Sequence, residues 1–135
     1  MADLFAGSGA LGLEALSRGA TSCVFVERDG AARQALADNV GTLGLRDRAD
    51  ILAEDATRLT KPRLPSAIGL AFLDPPYAEG LAEPALAALL DADWLADEAL
   101  AVAEVGVRDT IRPSGYTLLD ERVWGAAKVL FLQRA

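Results

Sequence analysis

Five short apolar runs recur along the chain: Ala2–Ala6, Ser22–Glu27, Ala49–Ala53, Ile68–Leu73 and Ala99–Val105. Each has the length of a strand, and most are apolar at consecutive positions. Such runs are strands buried between layers of helix rather than strands with one wet face. The segments between them carry helical spacing. Leu11, Leu13, Ala15 and Leu16 predict a helix stopped at Gly19. A second is expected over Ala31 to Leu43, ended by Gly44, and a third over about Leu81 to Leu90. Strands alternating with helices imply a parallel sheet joined by right-handed crossovers.

The C-terminal part departs from that rhythm. Tyr116–Trp124 and Ala127–Gln133 are strand-like and separated only by Gly125 and Ala126, which predicts an antiparallel hairpin. Five alternating strands followed by a hairpin match the class I methyltransferase plan, a Rossmann-like three-layer α/β sandwich. No repeat or low-complexity stretch divides the chain, and Pro62–Pro65 reads as a local loop. A chain of 135 residues is expected to form one domain, residues 1–135. The first strand begins at the second residue, so an N-terminal segment is expected to be missing.

Composition removes whole classes of chemistry. There is no histidine, which excludes histidine triads, proton shuttles and metal ligands. Cys23 is the single cysteine and lies in an apolar run, so it reads as a buried, inert thiol. No metal site is expected. No apolar run approaches a membrane span, and a cytoplasmic protein is expected. The net charge of -7 runs against a phosphate-binding surface. What remains is chemistry by carboxylates, backbone groups, aromatics and a bound cofactor.

Gly7-Ser8-Gly9-Ala10-Leu11-Gly12 is a G-x-G-x-x-G turn between a strand and a helix. Glycines there permit a tight turn and close approach of backbone to a ligand. Glu27 closes the second strand, where a carboxylate can accept from both hydroxyls of an adenosine ribose. These features fit a nicotinamide dinucleotide or S-adenosylmethionine. Asp3, on the first strand, favours the second: a sulfonium and an ammonium welcome a carboxylate that would repel a pyrophosphate. Asp55 follows the third strand and can accept from the adenine amine, with the Ala56 amide offered to a ring nitrogen. Each has a structural alternative. The glycines can serve packing alone, Asp3 can cap a turn, and Asp55 can be the N-cap of the next one.

Asp74-Pro75-Pro76-Tyr77 follows the fourth strand and is the most specific signal in the chain. Two prolines hold the backbone extended and remove two amide donors, leaving the Pro75 carbonyl to face a ligand. An exocyclic base amine is a poor nucleophile because its lone pair is delocalised into the ring. Two acceptors, the Asp74 carboxylate and the Pro75 carbonyl, can bind its two N–H groups and aim the lone pair at a methyl donor. Asp74 also stabilises the positive charge that develops on nitrogen. Pro76 and Tyr77 are the expected base-binding surface, with the Tyr77 ring as a stacking face.

At these residues the chain resembles the RsmD family, bacterial enzymes that methylate guanine N2 in 16S ribosomal RNA. The resemblance is carried by Asp3 through Ala20, Phe25-Val26-Glu27, Asn39, Phe72 through Tyr77 and Trp94-Leu95. It implies a seven-stranded sheet with the hairpin as its last two strands. It implies S-adenosylmethionine held by Asp3, Gly7, Ser8, Gly9, Glu27 and Asp55, and catalysis at Asp74 with Tyr77 holding a flipped-out guanine. The expected partner is ribosomal RNA, as free RNA or a small-subunit particle, and the expected state is a monomer. Family members carry a basic segment before the first strand that helps grip RNA; the segment expected to be missing here would hold part of that positive surface and account for the acidic net charge. Arg108, Arg112, Arg122 and Lys128 read chiefly as ordinary solvated charges.

The residues leave other readings open. The same turn would hold adenine N6 in DNA or a protein glutamine amide. A nicotinamide oxidoreductase would use the glycine loop but leave Asp74–Tyr77 unexplained. A truncated core could bind cofactor without activity.

Overall fold

The computed structural model describes residues 1–61, 67–76 and 79–135. The expected loop at Pro62–Pro65 lies outside the described residues. Seven strands form one sheet: β1 (Ala2–Leu4), β2 (Cys23–Val26), β3 (Ala49–Leu52), β4 (Ile68–Leu73), β5 (Leu95–Gly106), β6 (Tyr116–Trp124) and β7 (Ala127–Arg134), in spatial order β3-β2-β1-β4-β5-β7-β6. β3 through β5 are parallel, and β7 runs antiparallel between β5 and β6. The helices are α1 (Ala10–Ser17), α2 (Gly30–Thr42) and α3 (Ala82–Asp91), with a short 3-10 turn at Arg46–Arg48.

The apolar runs form strands because every second side chain meets a different helix layer. In β2, Cys23 and Phe25 pack with Leu13 and Leu16 of α1 and Leu36 and Val40 of α2. Val24 and Val26 point to the other face, into a core shared with Ala85, Leu86 and Leu89 of α3. The three layers follow directly, as the alternation of strands and helices required. Cys23 is buried, and desolvation pushes its thiol up to about 12, so it stays protonated and unreactive.

Two strand boundaries differ from expectation by more than one residue. The first run ends early, because Phe5 turns the chain at φ 59°, a left-handed conformation that costs a bulky side chain energy. The fifth strand starts at Leu95, four residues before the expected Ala99. Ile68 pairs with Leu95 and Leu70 with Leu100, so β5 holds extra residues in a bulge, with Glu98 at φ 60°. Those polar bulge residues hid the strand from an apolarity reading.

β1 lies between β2 and β4, so the chain leaves β1 toward one side of the sheet and returns on the other. Ligands of open α/β sheets bind at this reversal, beyond the carboxyl ends of the strands. The glycine turn follows β1 and the Asp74-Pro75-Pro76 turn follows its neighbour β4, so the topology brings the two strongest motifs to one crevice.

Candidate active site

A cavity of ≈ 500 Å³ opens at that crevice. Its wall carries Glu27 from the end of β2, Asp55 and Ala56 after β3, and Asp74, Pro75 and Pro76 after β4. Six residues expected at the site are thus gathered around one space. Tyr77 lies outside the described residues.

The other described residues expected at the site are not among those that line it. Asp3 is 2% exposed, and its carboxylate accepts from the Gly12 amide at 3.0 Å. Burial is the main cause that pushes its carboxyl up to about 7, with repulsion from Asp74 and Glu27 adding to it and the Gly12 bond opposing it. Asp3 therefore holds the first turn of α1 to the sheet, as the capping alternative required. Gly7, Ser8 and Gly9 form the turn between β1 and α1 and are not among the residues lining the cavity. Gly9 packs rather than presents: at φ 88°, a Cβ there would stand 2.2 Å from Leu36 Cδ1. Gly7 is different, since a Cβ there would meet nothing within 4 Å. The Asn39 side chain of α2 donates to the Ser8 carbonyl at 3.1 Å, fastening the turn from outside.

Glu27 joins the turn to the cavity. One carboxylate oxygen accepts from the Gly7 amide at 2.8 Å and the other from the Asp29 amide at 2.9 Å. A carboxylate has about four acceptor positions, so these bonds orient Glu27 while leaving acceptor capacity toward the cavity. Asp55 is similarly held. One oxygen accepts from the Thr57 amide at 2.9 Å and the Thr57 hydroxyl at 2.7 Å. The backbone bond, then the hydroxyl bond, holds its carboxyl below the usual range. This is the turn-capping geometry anticipated as an alternative, with the second oxygen 3.7 Å from Arg28 Nη1.

Asp74 differs from all of these. It is exposed, and among the described residues its carboxylate has no hydrogen-bond or ion-pair partner. Pro75 behind it is buried. An ionisable acceptor without a partner among the described residues, backed by a proline pair, suits a ligand's N–H groups.

Sequence reasoning missed several wall residues: Phe5, Arg28, Glu54, Glu79 and Leu81. Phe5 and Arg28 directly follow β1 and Glu27, and their places after strand ends are the signal that would have found them. Glu54 is tied through one oxygen to the amide and hydroxyl of Thr60, both at 2.9 Å. Of the four cations considered earlier, Lys128 is not a solvated charge: it is 9% exposed, donates to the Asp109 carbonyl and lies 3.5 Å from Glu121. Arg122 is exposed and paired with Asp120 at 2.9 Å, and Arg108 and Arg112 are exposed. Among the described residues no group of three or more carboxylate, cysteine or histidine side chains is arranged to hold a metal ion, and no helix is long and apolar enough to cross a membrane.

Comparison with known proteins accords with this geometry. The family model described as Conserved hypothetical protein 95 matches residues 1–133. Ribosomal RNA small subunit methyltransferase D of Escherichia coli is 39% identical over 134 residues, covering 98% of this chain and 67% of that protein. The protein of the same name from Haemophilus influenzae is 36% identical over 126 residues, 91% of this chain and 65% of its own length. The chain thus spans about two thirds of the length of these relatives. A crystal structure of a candidate methylase from Haemophilus influenzae superposes with a TM-score of 0.85 at 34% identity, covering 98% of this chain and 85% of that one. TrmN from Thermus thermophilus shares the fold with a TM-score of 0.81 over 99% of this chain and 43% of its own, at 24% identity. From the glycine turn to the terminal hairpin, this chain has the class I methyltransferase fold and belongs to the RsmD family.

Proposed function

We propose that the chain transfers a methyl group from S-adenosylmethionine to the exocyclic N2 amine of a guanine in 16S ribosomal RNA. The observation that carries this reading is the placement of Asp74, without a partner among the described residues, on the same cavity wall as the fastened Glu27 and Asp55. One side is built to hold an adenosine; the other offers acceptors to an amine.

The cavity's charge fits the cofactor. Among its described lining residues are the carboxylates Glu27, Glu54, Asp55, Asp74 and Glu79 against a single cation, Arg28. Such a wall attracts a sulfonium and an ammonium and repels a pyrophosphate, which argues against the dinucleotide alternative. Bound there, S-adenosylmethionine supplies an electrophilic methyl group. Glu27, held by two amides, accepts the ribose hydroxyls through its remaining lone pairs. Asp55 accepts from the adenine amine, and the Ala56 amide donates to the ring. Asp3 and the turn Gly7-Ser8-Gly9 hold that wall in position and contribute their field to it.

Asp74 and the Pro75 carbonyl accept the two N–H groups of the target amine. The amine's lone pair is thereby released from the ring and pointed toward the cofactor. Asp74 balances the charge that grows on nitrogen during transfer and is the acceptor for the proton it sheds. Pro76 and Tyr77 form the surface on which the flipped base rests. In this reading residues 1–135 act as one domain, a monomer in the cytoplasm, on RNA free or within a small-subunit particle.

The test is transfer from labelled S-adenosylmethionine to small-subunit RNA and particles lacking the modification, followed by nucleoside analysis. N2-methylguanosine is the expected product. A methylated adenine, or label in protein alone, would overturn the reading.

A further inference from the structure

A second cavity, ≈ 640 Å³, lies on the other side of the proline turn. Pro75, Pro76 and Leu81 line both spaces, so the two adjoin through the residues that follow Asp74. The second is walled by the start of α3, by Glu104 and Val105 of β5 and by Asp109 to Ile111 beyond it. Among the described lining residues it has three carboxylates, Glu83, Glu104 and Asp109, and no cation. A phosphate is unwelcome there, whereas a neutral ring edge that donates hydrogen bonds is welcome.

The strand register singles out one of the three. Phe72 pairs with Val102 and Leu73 with Ala103 in the parallel β4–β5 ladder. Glu104 comes one residue after the last of these pairs, on the strand next to the one that ends just before Asp74, and it also lines the second cavity. Asp109 is otherwise occupied, accepting from the Gly106 amide at 2.9 Å. Glu83 is exposed in the first turn of α3.

Guanine presents N1–H next to its N2 amine, so a base whose amine is held at Asp74 turns N1–H to a neighbouring position. Adenine has a bare acceptor at N1. We infer that Glu104 accepts the N1–H of the target base and selects guanine, the second cavity being the acceptor-base subsite. The inference rests on the guanine-N2 reading above. Glu104 also makes a contact within the protein; a carboxylate with about four acceptor positions has room for both.

The test uses small-subunit RNA, splint-ligated so that the guanine methylated by the wild-type protein is replaced by 2-aminopurine, and assembled into particles where the particle is the substrate. 2-Aminopurine keeps the amine but has a bare N1. Wild-type protein should prefer guanine in kcat/KM by about 10-fold to 100-fold, the discrimination of a good base contact. Glu104→Gln, whose amide can donate to the bare N1, should narrow that preference by roughly tenfold with S-adenosylhomocysteine affinity unchanged. Glu104→Ala should lose rate on guanine and gain nothing on 2-aminopurine. Equal wild-type rates on the two bases, or a Gln variant that keeps the full preference, would overturn the role of Glu104 while leaving the guanine-N2 function standing. Failure of wild-type protein to methylate any guanine would overturn both.

Discussion

The carboxylates of the two sides of the crevice are held in opposite ways. On the glycine-turn side, Asp3, Glu27 and Asp55 all accept from backbone amides, at 2.8 to 3.0 Å. On the proline side Asp74 has no such bond among the described residues. Charge-assisted bonds to amides hold a side chain in one rotamer, so a ligand meeting it loses little freedom on binding. An acceptor that must engage a reacting amine gains from having no competing partner in the resting state. The difference teaches that binding and chemistry are divided between neighbouring strands: β1, β2 and β3 support a prearranged wall, and β4 supports a group that no described residue fastens.

The sharpest way to break that division is Asp74→Ala. Methyl transfer should fall by about 10²–10³-fold, the effect of removing a preorganised charge-stabilising group. Cofactor affinity should stay within about threefold, since only the reacting amine meets Asp74 in this scheme. Labelled transfer and calorimetry check the two halves. Unchanged turnover would show that Asp74 is not the reacting side.

A methyl group at Gly12 should disrupt the fastened side as a whole. A Cβ there would stand 2.3 Å from Phe25 Cε1 and 2.9 Å from Cys23 Sγ, both fully packed. Gly12→Ala should cost about 1–3 kcal/mol of stability by overpacking, read from chemical denaturation. A change within error would mean that β2 yields more easily than its burial implies.

Glu27→Ala should affect binding and stability together, because the same carboxylate holds two amides and faces the cavity. Cofactor affinity should fall about tenfold, and unfolding free energy by about 1 kcal/mol. An unaltered dissociation constant would remove Glu27 from the ribose.

The smallest effect belongs to Asp3 and depends on pH. Its carboxyl is raised from 3.8 to about 7 in the folded state. Between those values the unfolded chain has lost the proton that the folded chain keeps, so stability falls as pH rises through the window and levels off above it. Asp3→Asn should remove that slope and gain roughly 1 kcal/mol near pH 8, less than the shift alone implies because the ionised group's bond to Gly12 is lost. Denaturant midpoints at pH 4 and pH 8 measure it. Parallel pH profiles for both proteins would show that Asp3 does not titrate in this range.

The elements of the sheet and its helices also differed in how far they could be read in advance. β4 and β6 run over the expected residues, and α2 and α3 begin and end within one residue of expectation. There, local apolarity and glycine stops coincide with the real boundaries. β5 was mis-started because its first residues form a bulge held by β4 rather than by their own pattern. Lys128 read as solvated because its neighbours in sequence say nothing of Asp109, nineteen residues away, whose carbonyl it reaches.

Taken alone, the sequence determined the strand–helix alternation, the terminal hairpin and the two turns that carry chemistry. Each depends on residues close together in the chain: apolar periods, glycine conformations and fixed proline angles. The tertiary structure alone decided that Asp3 supports the turn from beneath while Glu27 faces the cavity, that Asp74 is left unfastened by the described residues, and that the strand carrying Glu104 runs next to the one that ends before it. Those outcomes depend on which strand neighbours which and on how a parallel register aligns residues some thirty positions apart. No local pattern encodes that alignment; it arises when the strands pair and the helices close over them.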